Sequence, residues 1–223
     1  TFFCNARTAE IYPGLVKLIA KKGHQIGSHG YKHVYRDTLN DDEFLKDCLK
    51  AKEILEKITL KTIEGYRSPY LSLNPKNYTS SLKILSKAGY SFDSSITYDA
   101  LRKIEGIRDI YKEITIENIK IKPLFSLAIF GKNINLAGGS IWRIIPSIFI
   151  IFLIRFKINP KSFSLYFHPY EFGKPLSTQR VLGEGISKVR LYLSFLRWNL
   201  GRKKIEKLIK YFNKLNNVKF NIY

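Results

Sequence analysis

The chain has 223 residues, 38 Lys plus Arg against 18 Asp plus Glu, a formal charge of +20, and a hydrophobic share of 45%. That composition excludes a disordered polypeptide, and the length can bury one large core. Cys4 and Cys48 lie far apart, which excludes the disulfide framework of a small secreted scaffold and favours a reducing compartment, hence a cytoplasmic location.

The chain opens on Thr1-Phe2-Phe3-Cys4-Asn5 and contains no Met. These residues read as the middle of a buried strand, so the natural N-terminus is expected upstream, and the lack of a signal peptide is uninformative. Pro13 fits the first turn of a helix over 10–22, with Leu15, Val16 and Ile19 on one face and Gly23 as its stop. Residues 24–28 are a short segment leading into a loop. Asn40 with Glu43 reads as a capping-box variant opening a helix to about residue 58. A strand is expected over 62–66, a helix from Asn74-Pro75 to Gly89, a strand over 90–92 and a bent or bulged strand over 113–122. Further on, Gly138-Gly139 marks a tight backbone, and 163–167 reads as a buried strand. Helices over about 178–198 and 201–214 and a strand over 218–222 close the chain. Strands alternating with helices imply parallel pairing through crossovers, with functional groups at the strands' C-terminal ends.

From residue 157 onward 14 Lys and Arg face three acids, Glu171, Glu184 and Glu206, a net of +11. Such a field attracts phosphates of nucleic acid, anionic lipid or a diphosphate-linked substrate; a solvated lysine-rich surface is the plainer reading. No nucleic-acid motif accompanies it, so nucleic acid is not expected as a partner. The most apolar stretch, 144–154, is interrupted by Pro146 and Ser147 and bracketed by Arg143 and Arg155. It is shorter than the roughly 20 apolar residues a bilayer span needs. A buried helix and an interfacial segment resting on an anionic membrane both remain open.

His29 and His33 sit four apart in Ser28-His29-Gly30-Tyr31-Lys32-His33, just past a strand end. Two neutral imidazoles at that spacing suit zinc, cobalt, nickel or iron, and a carboxylate as third ligand would leave positions for water and substrate. Arg67-Ser68-Pro69-Tyr70 follows the next strand: Arg67 can clamp a carboxylate by two parallel hydrogen bonds, and Pro69 fixes the turn. Asp93 follows another strand end. His168, in His168-Pro169-Tyr170-Glu171, is a candidate general acid because imidazole titrates near neutrality.

In that order, these groups resemble the polysaccharide deacetylases of the NodB-homology type. The opening Thr1-Phe2-Phe3 and the run ending His29-Gly30-Tyr31-Lys32-His33 are similar to that family's second strand and metal motif, and Arg67 to Tyr70 to its R-x-P-Y motif. Gly138-Gly139, Trp142-Arg143 and the run from His168 to Glu171 resemble a branch with a C-terminal extension, here basic and starting near residue 174. The resemblance covers essentially the whole chain, which reads as a single domain over 1–223. It implies a distorted (β/α) barrel, α/β in class, whose first strand precedes Thr1, and removal of acetyl groups from an N-acetylated sugar with a divalent metal, zinc first among the candidates. His29 and His33 would bind the ion, and Arg67 would orient the catalytic carboxylate. Pro69, Tyr70 and Tyr170 would line the oxyanion and substrate side. His168 would protonate the departing amine, with Asp93 steering its imidazole. The family's acidic pair, third ligand and general base, has no match in the sequence, so the chain by itself is expected to be inactive. The expected partners are an N-acetylated saccharide, lipid-linked in one reading and belonging to cell-surface polysaccharide synthesis, and an anionic membrane at its inner face. A non-catalytic carbohydrate-binding or membrane-associated module on the same fold is the alternative, and a phosphate-seeking basic protein a third.

Overall fold

The computed structural model describes residues 1–104, 113–129, 132–155, 164–172 and 188–214. They form two compact units that divide near Asn135. In the first unit, strands β1 (Phe2–Cys4), β2 (Ile26–Ser28), β3 (Gly65–Tyr66), β4 (Phe92–Asp93), β5 (Ile114–Ile116) and β6 (Ile119–Ile121) make a sheet of order β1-β2-β3-β4-β6-β5. Every neighbouring pair is parallel except β5 with β6. The parallel strands follow chain order without a reversal, as in the wall of a (β/α) barrel rather than a doubly wound sheet. Among the described residues this sheet is open. A second pair, β7 (Ser126–Ile129) with β8 (Lys132–Asn135), stands apart from it.

Helices return the chain between the parallel strands. The segment after β1 holds two of them, α1 (Ala6–Ile11) and α2 (Pro13–Lys21), where one was expected over 10–22. Asn5 accepts the Thr8 N–H and caps the first, while Pro13, with no N–H to donate, starts the second. Helix α3 (Asp41–Thr59) opens on the expected capping box, Glu43 N–H to Asn40 Oδ1 and Asn40 N–H to Glu43 Oε2, both 2.9 Å. Its buried stripe of Phe44, Asp47, Cys48, Ala51 and Leu55 contains one acid among apolar groups. Helix α4 (Tyr78–Lys87) starts later than Asn74-Pro75 suggested, because a turn closed by Asn74 N–H on Asn77 Oδ1 precedes it. A single turn, α5 (Tyr98–Leu101), capped by Thr97, follows β4.

Residues 113–122 are not one bulged strand but the hairpin β5–β6. Glu117 and Asn118 sit at φ of 52° and 64°, the pair of left-handed residues that a two-residue turn of the I′ kind requires.

In the second unit, α6 (Gly139–Ile144), α7 (Ser147–Arg155), α8 (Lys188–Asn199) and α9 (Arg202–Asn213) are the helices among the described residues. Trp142, Ile150, Ile205 and Leu208 form its buried cluster, with Leu165 and Phe167 packed against it. Where a strand was expected over 163–167, the described part holds an isolated parallel bridge from Tyr166 to Gly138, and its side chains are half-buried. The expected helix residues 178–187 and strand 218–222 lie outside the described residues.

Candidate active site

The polar groups of the first unit gather where the parallel strands end. After β2 the backbone turns sharply: Gly30 has φ +68°, and a Cβ there would lie 3.1 Å from Asp47 Oδ2. Asp47, on α3, accepts the N–H of Tyr31 through Oδ2 and of Lys32 through Oδ1, both at 2.9 Å. From the other side Asn5 Nδ2 donates to the carbonyls of Gly30 and Tyr31. The loop carrying the histidine pair is thus fixed from β1 and from α3. Its last residue, His33, is held at φ 56°, and its ring stands edge-on to that of His29 with centroids 5.0 Å apart.

His29 Nδ1 lies 2.7 Å from the Arg67 carbonyl oxygen. A carbonyl only accepts, so the proton sits on Nδ1 and the lone pair on Nε2. A backbone carbonyl fixing the tautomer of an imidazole is the usual second contact of a metal-binding histidine. His29 has that contact, as an imidazole that held a divalent ion would. Among the described residues no group of three or more His, Cys, Asp or Glu side chains gathers as a metal cage.

Arg67 follows β3. Its Nε donates to the Ser94 carbonyl at 2.8 Å and Nη2 to Ser94 Oγ at 2.7 Å, while the guanidinium lies 4.4 Å over the Phe3 ring. Ser94 Oγ in turn donates to the Lys122 carbonyl at 2.9 Å. The fork is spread across the ends of β1, β4 and β6, and the two parallel bonds anticipated for a carboxylate run here to serine.

Pro69 is buried and Tyr70 exposed in a short turn, Pro69–Leu71, with Tyr70 at φ 56°. The Tyr70 ring stacks on Tyr35 at 4.3 Å and meets His33 edge-on at 4.9 Å. His29, His33, Tyr70 and Tyr35 form one continuous row of rings. Asp93 is fully buried and accepts from Tyr78 Oη at 2.9 Å, Ser95 N–H at 2.9 Å and Ser95 Oγ at 2.5 Å. Ser95 Oγ also accepts the Ser68 N–H at 2.8 Å. These bonds make Asp93 an anchor of the Arg67-to-Tyr70 turn. Burial, stronger than the hydrogen bonds that oppose it, pushes its carboxyl up to about 6.

In the second unit, His168 is half-exposed. Its ring stacks on Tyr170 at 5.0 Å and meets Tyr166 edge-on at 5.6 Å, and Tyr170 Oη lies 3.3 Å from Nδ1. Its backbone N–H donates to Glu171 Oε2 at 2.8 Å. Glu171 is fully buried against Arg143, with Oε1 3.5 Å from Nε, and accepts from Ser140 Oγ at 3.4 Å. A Cβ on Gly139 would sit 2.3 Å from Glu171 Oε2, which explains the glycine. The structure thereby brings together Gly138-Gly139, Trp142-Arg143 and the run from His168 to Glu171 in one unit.

Sequence reasoning missed Asp47, Asn5, Tyr35, Ser94 and Ser95, and gave Glu171 no role. For Asp47 the signal was an acid on the apolar stripe of an amphipathic helix; the partners of the others are set by tertiary folding.

An α/β wall with an anchored histidine pair at its C-terminal rim is the class that fold and site define. Residues 1–92 match the family described as polysaccharide deacetylase, and residues 97–220 match a domain of unknown function (DUF3473). Over residues 97–220, more than half its length, the chain belongs to the family described as DUF3473, and the segment before it is similar to the polysaccharide deacetylases. A peptidoglycan-N-acetylglucosamine deacetylase of Bacillus cereus is 39% identical over 70 residues, 31% of this chain and 26% of the relative. A peptidoglycan deacetylase of Helicobacter pylori is 28% identical over 99 residues, 44% of this chain and 32% of the relative. The chain thus spans about a quarter to a third of those relatives' length. A Mycobacterium smegmatis structure assigned to the polysaccharide deacetylases aligns with 97% of this chain and 66% of its own, at 19% identity and a TM-score of 0.58, which shows the shared fold.

Proposed function

We propose that the protein of which this chain is part removes N-acetyl groups from an N-acetylated sugar of a poly- or oligosaccharide, with a divalent metal, zinc first, held by His29 and His33. The observation that carries this is the His29 Nδ1 contact of 2.7 Å to the Arg67 carbonyl, which sets both the ring's orientation and its tautomer. A bound ion would supply a Lewis acid for the amide carbonyl and lower the pKa of its water. The chain's own residues do the rest. Asp47 and Asn5 hold the histidine loop, and Arg67 and Asp93 brace the turn that presents Tyr70. His168 gives the departing amine its proton, because an amine anion is a poor leaving group. Water adds to the carbonyl carbon, the C–N bond breaks, and acetate and a free amine leave. The reaction also calls for a carboxylate as general base and third ligand, which no described residue supplies beside the pair.

The test is acetate release from an N-acetylglucosamine oligomer by the natural protein. Chelation abolishes it, zinc restores it, and His168→Ala lowers kcat by about 10²–10⁴-fold while metal content is kept. Saccharide binding that survives His29→Ala, with no acetate released by any form, would mean a binding module and overturn the proposal.

A further inference from the structure

We infer that the second unit rests on an anionic lipid surface through the outer face of α7, drawn there by that unit's net positive charge. Between Ser147 and Arg155, α7 contains no polar residue. Ile150 is spent on the buried cluster with Trp142, Ile205 and Leu208, and Ile151 packs against it. Ile148 and Phe149 face outward with exposures of 69% and 60%, and Ile144 just before them is 68% exposed. A helix with two apolar faces belongs in a core, against a partner or in lipid. Helix α8 repeats the pattern, with Val189, Tyr192, Leu193 and Leu196 exposed at i, i+3, i+4 and i+7.

Charge selects the occupant. Residues 135–220 hold 16 Lys and Arg against three acids, and α9 turns Lys203, Lys207 and Lys210 outward while burying Ile205 and Leu208. A second copy of so basic a chain would be repelled, whereas anionic headgroups attract it. Geometry selects how the lipid is met. Among the described residues no helix is long and apolar enough to cross a membrane. The nine residues of α7 reach roughly 13 Å, so the helix lies in the interface, with Ile148 and Phe149 toward the acyl chains. This surface stands apart from the deacetylation reading, because partition is measured without turnover.

The experiment is co-sedimentation of the 223-residue chain with vesicles of phosphatidylcholine, with and without phosphatidylglycerol. The chain is expected to sediment with the anionic vesicles and to be released as salt rises. Phe149→Gln and Phe149→Asp should lower the partition coefficient several-fold, the aspartate more, and Lys203→Glu with Lys207→Glu should lower it on the anionic vesicles alone. These three sites are exposed, so circular dichroism and the melting temperature should not change. Failure to sediment at low ionic strength overturns the inference, as does vesicle binding indifferent to the phenylalanine substitutions. A dimer in sedimentation equilibrium that the same phenylalanine substitutions dissociate assigns the face to a second copy and also overturns it.

Discussion

Asp47 shows how a single carboxylate shapes the site from one helix away. Its two oxygens take two consecutive N–H groups of the histidine loop, and hydrogen bonds to a charged acceptor are worth about 1.5–3 kcal/mol each. Asp47→Ala is expected to cost roughly 2–4 kcal/mol in urea unfolding and to weaken zinc uptake, with Asp47→Asn intermediate. Asp93 works in the opposite electrostatic sense, since its burial raises the carboxyl to about 6. The folded state holds the proton more tightly than the unfolded chain, whose carboxyl titrates near 3.9. Its favourable contribution is complete below about pH 4 and is lost as pH rises through 6. Compared with Asp93→Asn, the wild type should lose up to about 3 kcal/mol between those pH values, read as the difference in unfolding free energy at pH 4, 5, 6 and 7. A difference that grows in favour of the wild type as pH rises would contradict this sign. The residues themselves were partly legible: His29, His33 and Arg67 stand out because polar groups directly follow short apolar runs. Ser94 and Ser95 do not, since a serine advertises no partner and theirs lie 27 residues away in the chain.

At the scale of elements, helices were easier to read than strands. The capping box of α3 is a local device written in four residues, and it forms as expected. The hairpin was hidden because Ile114, Ile116, Ile119 and Ile121 imitate one alternating strand with a slip, and the turn between them is Glu117-Asn118 in place of a glycine-bearing pair. Asn118 tolerates φ 64°, but a β-branched residue does not. Asn118→Val should therefore cost about 1–2 kcal/mol in thermal or urea unfolding. In the second unit, the turn from His168 to Glu171 is held by a carboxylate buried against Arg143, 28 positions earlier, a distance that no local pattern reports. Glu171→Ala removes that carboxylate, the acceptor of the His168 N–H, and should destabilise the unit by about 3–5 kcal/mol. Urea unfolding followed by circular dichroism of the variant checks this.

For the whole molecule, alternating helices and parallel strands follow from patterning, and the chain-order sheet is the wall such alternation builds. The charge was legible as a total and an imbalance; the exposed side of α7 was not, because a sequence of nine nearly uniform apolar residues does not say which of them the core will use. The two family matches, over 1–92 and 97–220, divide the chain near the start of α5, while its compact units divide near Asn135. The claim on which the functional account stands is metal binding by the histidine pair. Its most direct measurement is calorimetric titration of zinc into this chain and into His29→Ala and His33→Ala. One site per chain is predicted, weakened at least about tenfold by either substitution. Zinc uptake of equal affinity in the wild type and the double variant would contradict the assignment.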